Sequence, residues 1–154
     1  MTTSEFWQEY LKKTNQEEED ALFSGELLFE EKGITGLEQH SLILSGAKTA
    51  MFRAVDAYEI NMEPLPISGE IYVVLDLNEE PSSIIEVTDV NIIPFCEIPW
   101  DLARRDGENE NLSEWQEKMR ELISDEADLC GFTFTEDTKI VCEIFRVIYR
   151  GQNK

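Results

Sequence analysis

Lys48 is the residue whose type and surroundings most directly suggest chemistry. It lies in the stretch LSGAKTAMFRA, residues 44–54, with Leu44, Ala50 and Phe52 as apolar neighbours. An amine that apolar groups partly remove from water loses its preference for the ammonium form, and it can then act as a base or nucleophile. A nearby carboxylate has the opposite effect and restores the charged form. A structural role is the third reading, because lysines beyond a helix end often donate to its last carbonyl groups.

Histidine and cysteine offer fewer sites for chemistry. His40 is the only histidine, so a Ser-His-Asp triad would have to include it, and no supporting motif surrounds it. We expect His40 at the surface or in packing. Cys96, Cys130 and Cys142 are odd in number and show no CxxC spacing, which indicates neither a disulfide framework nor a zinc site. The sequence therefore predicts packing cysteines, no metal and no cofactor.

The composition limits the class of partner. The chain has 154 residues, enough for one domain, and 33 acidic against 13 basic residues give a formal net charge of −20. This field repels polyanions, so long DNA or RNA is disfavoured and a small, weakly charged ligand is easier to accommodate. No apolar run is long enough to span a bilayer, and the N-terminus lacks the order of a signal peptide. We expect a cytoplasmic protein without a membrane partner.

Helices are predicted before Lys48. Ser4 is a candidate N-cap for a first amphipathic helix, and the carboxylates Glu17 to Asp20 favour the start of a second. A further helix can begin at Thr35 and end at Gly46, which would adopt the left-handed conformation of a helix cap. Lys48 would then lie just beyond a helix end.

Strands and two further helices are predicted after Lys48. The turn NEEPSS joins two strands as a hairpin, and a change of apolar parity near Thr88 predicts a bulge that curls the sheet. A short helix, a polar loop and a long helix that Gly131 ends follow this hairpin. The predicted strands are residues 49–55, 71–77, 84–95 and 139–150.

Four ordered blocks resemble the ASCH domain family. They are SGAKTA (45–50), PLPISG (64–69), IEVTDVNIIPFCEI (85–98) and VCEIFRVIYR (141–150). The resemblance is closest to the longer bacterial members and implies an α+β fold: a small PUA-like β-barrel of mixed strands, decorated by several helices. It also implies a single domain over residues 1–154, with N-terminal helices at about 4–32 and a cleft above the GxK loop.

The resemblance implies roles for two residues. Some ASCH-like proteins hydrolyse acetylcytidine with a lysine, a threonine and a glutamate, and another is a ribonuclease. Here the family lysine is Lys48, and the glutamate that matches best is Glu108, with Glu110 in the same polar loop as the alternative. The threonine position is Met51, whose thioether can neither donate a proton nor act as the nucleophile.

Other residues of these blocks are expected at the cleft. Arg104 and Arg105 form a compact basic pair that could contact a phosphate, although their acidic neighbours favour simple solvation. The strand residues Arg53, Glu86, Glu143 and Arg146 could line the cleft or pair with one another, and ion pairs are favoured because half-buried charges need partners. The residues expected to bind ligand are Gly46, Thr49, Met51, Arg53, Arg105, Glu143 and Arg146.

Binding is therefore the favoured function, with catalysis left open. The favoured ligand is a nucleoside-like small molecule or short RNA, bound in the cleft above the GxK loop. The alternative is a hydrolase, either an acetylcytidine-type amidohydrolase or a ribonuclease, that uses Lys48 and Glu108. A protein-interaction domain with an empty cleft is the third hypothesis.

Overall fold

The structure is a computed structural model that describes residues 1–17, 23–28, 42–76 and 78–151. The predicted helix start at Thr35, His40, Leu77 and most of the run Glu17 to Asp20 lie outside the described residues. The chain divides into two compact units. The first unit comprises residues 1–47, 68–88 and 145–154, and the second comprises residues 48–67 and 89–144.

Helix α1 (Thr3–Thr14) supplies one side of the core of the first unit. Its N-cap is Thr2, which accepts from the Glu5 amide while the Glu5 side chain accepts from the Thr2 amide. The cap predicted at Ser4 is therefore two residues too late, because only Thr2 has the partner three positions on. The buried stripe of α1 consists of Phe6, Trp7, Tyr10 and Leu11. It packs against four residues of the sheet, which are Ile71, Val73, Leu75 and Ile84.

The first unit also contains the strands β1 (Phe23–Leu28) and β3 (Ile71–Leu75) and parts of β4 (Pro81–Pro94) and of the last strand, β5 (Lys139–Arg150). β1 pairs with β3 in parallel, and β3 pairs with β4 as the predicted antiparallel hairpin. The sequence places residues 23–28 among N-terminal helices, but Gly25 has a φ of 141°, which suits an extended chain and not a helix. The register irregularity of the hairpin lies between Val74 and Leu75, and the bulge near Thr88 stays a prediction.

The second unit is built around α4 (Leu112–Cys130). The ring of Trp115, the largest fully buried side chain, stacks on Phe95 at 5.8 Å and meets Phe52 edge-on at 5.0 Å. Gly131 ends the helix with a φ of 89°, as predicted. The remaining elements are β2 (Ala50–Ala54), α2 (Val55–Ile60), α3 (Trp100–Ala103), 3-10 turns at Phe95–Glu97 and Arg104–Asp106, and the start of β5 (Lys139–Arg150).

The five strands form one mixed sheet in the order β1-β3-β4-β5-β2. The predicted α+β class is confirmed. Closure into a barrel is wrong for the part of the chain that the structure describes, because β1 and β2 remain as the two edges of an open sheet. None of the described helices has the length and apolar character needed to cross a membrane.

Candidate functional site

The loop that carries Lys48 starts at a helix end. Residues 42–45 are helical, and Gly46 follows with a φ of 84°, which confirms the predicted left-handed cap. The Gly46 amide donates to the Ile43 carbonyl at 3.1 Å, so the helix is closed by backbone before Lys48 is reached.

Lys48 is buried and binds a carboxylate. Its side chain is 5% exposed, and its ammonium group donates to Oδ1 of Asp106, whose side chain is 6% exposed. The backbone strengthens the contact between the two segments, because the Thr49 amide donates to the Arg105 carbonyl at 2.7 Å. The Arg105 guanidinium also reaches the Thr49 hydroxyl at 3.4 Å. The loop after Gly46 is thus fixed against the turn Arg104–Asp106.

Asp106 is the centre of a wider polar network. Its Oδ2 accepts from Trp115 Nε1 at 2.9 Å and from Lys118 Nζ at 2.8 Å. Lys118 also donates to Glu108 Oε2 at 3.0 Å. Burial raises the pKa of Asp106, but the ammonium groups of Lys48 and Lys118 outweigh burial and hold the pKa below its ordinary value. We call Lys48, Asp106, Glu108, Trp115 and Lys118 the Lys48 cluster.

The Lys48 cluster determines which chemistry these groups can do. Lys48 donates to a buried carboxylate in this arrangement, which favours Lys48 as a hydrogen-bond donor over Lys48 as a base. Asp106 accepts three hydrogen bonds and is kept as a carboxylate, so it suits a positioning role better than general acid chemistry.

The carboxylate that the resemblance assigns to the site is one step removed from Lys48. Glu108 is part of the Lys48 cluster through Lys118, and Glu110 is exposed. Sequence reasoning missed Asp106 as the residue that Lys48 binds. Gly107, with a φ of 87°, ends the turn directly after Asp106, but a glycine at this position does not indicate which residue Asp106 binds.

Three of the other predicted ligand residues lie on β2 and β5 in the second unit. Met51 is opposite Glu143 in the register of the two strands. The Arg53 side chain donates to Glu126 at 3.1 Å and to Glu63 at 3.3 Å, so the favoured ion pairing is found for Arg53. Glu143 accepts from the Tyr58 hydroxyl at 3.3 Å. Burial and Glu143 raise the pKa of Tyr58, and the guanidinium of Arg53, 4.8 Å from the Tyr58 ring centre, partly opposes them.

Arg146 belongs to the first unit, whereas Lys48 belongs to the second. Its guanidinium donates twice to Glu86 Oε1, at 2.7 and 3.0 Å, and this is the ion pair that the strand pattern favours. The site residues that the structure brings together around Lys48 are therefore Thr49, Arg105 and Glu108.

The described residues also limit metal binding and line a cavity. In the part of the chain that the structure describes, no group of three His, Cys, Asp or Glu side chains could hold a metal ion. A cavity of about 580 Å³ lies in the first unit between α1 and β1. Its lining residues are Thr3, Ser4, Trp7, Gln8, Phe23, Gly25 and Glu26.

Comparison with known proteins gives the class and then the family. The fold is a mixed five-stranded sheet with helices, and a buried lysine follows a helix that a glycine ends. These features fit the PUA-like class of α+β domains. The family model described as ASCH domain matches residues 26–149. The chain therefore belongs to the ASCH domain family, as the four sequence blocks predict.

Solved structures agree with this assignment. A protein from Enterococcus faecalis V583 is 28% identical with a TM-score of 0.85, over 96% of this chain and 88% of that chain. An ASCH domain from Lactobacillus crispatus JV V101 is also 28% identical, with a TM-score of 0.82, over 93% of this chain and 94% of that chain. A search of curated proteins found no significant match.

Proposed function

We propose that this ASCH domain binds a nucleoside-like small molecule or a short RNA in the cytoplasm, at Lys48 and Thr49 and the facing turn 104–108. The observation that carries the proposal is the buried Lys48–Asp106 ion pair, which fixes these two segments against each other. A binding site needs such a rigid base, because groups that are already positioned lose little entropy when a ligand arrives.

The local charge supports this ligand class. Among residues 48–49, 104–108 and 118, four cations (Lys48, Lys118, Arg104 and Arg105) stand against two carboxylates (Asp106 and Glu108), with Glu110 and Glu114 just beyond them. This local positive excess lies in a chain whose net charge is −20. It suits a ligand with one or a few phosphate groups, whereas a long polyanion would also meet the repulsive field of the rest of the chain.

Binding is favoured over catalysis because the side chains at two of the family's catalytic positions are unsuited to hydrolysis. Met51 replaces the hydroxyl of the hydrolytic relatives, and Lys48 is engaged by Asp106 as a donor. The exposed Arg105 side chain and the Thr49 hydroxyl are the groups that we expect to contact the ligand.

Thermal unfolding with added cytidine, cytidine monophosphate and a short single-stranded oligoribonucleotide tests the proposal. We expect at least one of them, at about 1 mM, to raise the midpoint of the wild-type protein. Arg105→Ala should reduce the rise, whereas Lys139→Ala, which removes the same charge from another exposed site, should not. No rise with any of the three, or an equal loss in both variants, would contradict the proposal.

A hydrolase is the second candidate. The observation that favours it is the chain of contacts from Glu108 through Lys118 to Asp106, the residue that Lys48 binds. Acetate release from acetylcytidine and cleavage of single-stranded RNA measure this activity directly. The wild type and Lys139→Ala should then show turnover, and both Lys48→Met and Glu108→Gln should abolish it. This result would show that the domain is an enzyme and not only a binding protein.

A further inference from the structure

An exposed apolar surface lies on the second unit, at the end of α2 and along α4. Met62 is 90% exposed and Leu129 is 88% exposed, which is unusual for large apolar side chains. The side-chain amide of Asn61 donates to Cys130 Sγ at 4.0 Å, so the side chain that precedes Met62 contacts the side chain that follows Leu129. Ile60 and Leu122 are each more than 40% exposed, and Leu122 is seven residues before Leu129, on the same helix face. We call Ile60, Met62, Leu122 and Leu129 the Met62 patch.

Met62 is held in a conformation that disfavours a large side chain. Its φ is 57°, in the left-handed region where glycine is the usual residue. The Glu63 amide donates to the Tyr58 carbonyl at 2.9 Å, and the Met62 amide donates to the Glu59 carbonyl at 3.2 Å. These two bonds form the Schellman motif that ends α2, and they fix Met62 where its thioether projects into solvent. Neither the unfavourable φ nor the exposure of Met62 stabilises the folded chain. This points to a contact of Met62 with a group outside this chain.

The segments that carry the Met62 patch are strongly acidic. Residues 56–67 and 121–130 contain seven carboxylates and no lysine, arginine or histidine. Arg53 reaches both segments, where it binds Glu63 and Glu126. The apolar side chains therefore lie within a region of concentrated negative charge.

We propose that the Met62 patch docks a basic amphipathic segment of another protein, whose apolar residues cover Met62 and Leu129 while its lysines and arginines meet the surrounding carboxylates. Charge complementarity selects this occupant. A second copy of the chain would bring the same carboxylates and the same net charge of −20, and the carboxylates around the Met62 patch also repel nucleic acids and anionic lipid surfaces from this face. A flexible methionine suits this role, because it adapts to partners of varied shape. The inference is independent of the ligand proposed for the Lys48 loop.

Titration with a designed peptide tests the inference. The probe is a helix of about 18 residues with leucines on one face and lysines on the other. Its control has glutamine in place of every lysine. Isothermal calorimetry should show binding of the basic peptide that weakens as salt rises, and at least about tenfold weaker binding of the neutral peptide.

Variants place the contact on the protein. Met62→Gly and Leu129→Ser should each lower the affinity for the basic peptide by about tenfold or more, since exposed apolar anchors account for most of such an affinity. Ile92→Ser is the matched control, because Ile92 is also exposed but lies on β4. Equal binding by all variants would show only a general attraction to an acidic chain and would overturn the inference. So would equal affinity for the neutral peptide, or a dimer of the wild type that Met62→Gly dissociates.

Discussion

The ammonium group of Lys48 binds the carboxylate of Asp106 across 58 residues of chain, and both side chains are buried. This ion pair, together with the hydrogen bond from the Thr49 amide to the Arg105 carbonyl, joins Lys48 and Thr49 to the turn before the long helix α4. Trp115 and Lys118, both on α4, bind the other oxygen of the same carboxylate, so three segments of the second unit meet at Asp106.

Removing Lys48 should destabilise the protein. Lys48→Met leaves a buried carboxylate without one of its cations, and losing one member of a buried pair costs about 3–5 kcal/mol in the free energy of unfolding. Lys139→Met, at an exposed position, should change this free energy by less than about 0.5 kcal/mol. Urea unfolding measures both values. Similar small effects for the two variants would show that Lys48 is not held as described.

The two partners should also be coupled. In a double-mutant cycle, Lys48→Met combined with Asp106→Asn should cost less than the sum of the single changes by about 1–3 kcal/mol, because each single change already breaks the shared contact. Simple additivity in urea unfolding would contradict a direct ion pair.

Acid should remove part of the stability through Asp106. Its pKa is lower in the folded chain than its ordinary value of 3.8, so its stabilising contribution is fully present above that value and is lost as pH falls through the folded pKa. Unfolding free energies measured between about pH 2 and pH 6 should therefore fall less steeply toward low pH in Asp106→Asn than in the wild type. Equal slopes at acid pH would contradict the lowered pKa.

Replacing Met62 with glycine should stabilise the chain. Glycine adopts the left-handed conformation at the end of α2 without the steric cost that a side chain bears there, and the gain should be about 1 kcal/mol. Gly131→Ala is the matched opposite change, since Gly131 has a φ of 89° with nothing within 4 Å of an added Cβ, and it should destabilise by a similar amount. Thermal unfolding of the two variants compares them directly. A lower midpoint for Met62→Gly would show that its side chain supports the fold after all.

Alkali should titrate Tyr149 late. Burial and the hydrogen bond to Glu9 at 2.6 Å raise its pKa to about 12. A raised pKa in the folded chain means that the stabilising contribution is present below the ordinary value of 10.0 and is lost as pH rises toward 12. Difference absorbance of the wild type and Tyr149→Phe should locate one phenol that ionises in this range. Ionisation of that phenol near pH 10 would contradict the contact with Glu9.

Local patterns in the sequence predict much of the fold. Gly46 and Gly131 are correctly placed as helix caps, because an αL cap depends on a few neighbouring residues. The last strand has the predicted bounds, since the run Lys139–Arg150 is rich in β-branched and aromatic residues. By contrast, the predicted strand 49–55 runs into the first residue of α2, and no element is predicted for the rest of this six-residue helix, which has no side-chain cap and buries Ala57.

The candidate site is less predictable because it depends on long-range contacts. Lys48 is identifiable from its motif, but nothing near Asp106 in the sequence indicates a partner 58 residues away. The resemblance directs attention to Glu108, which the structure places two residues further along, beside Lys118. Strand β1 is missed for a similar reason, since its six residues are extended through pairing with β3 and not through local propensity.

The central claim, that a ligand binds at Thr49 and Arg105, is tested most directly by titration with cytidine monophosphate. The titration is monitored through the chemical shifts of the backbone amides in NMR spectra. We expect the largest shift changes at Thr49 and Arg105, which lie on the two segments that the Lys48–Asp106 pair joins. Changes confined to other parts of the chain, or no change up to about 10 mM ligand, would contradict binding at this site.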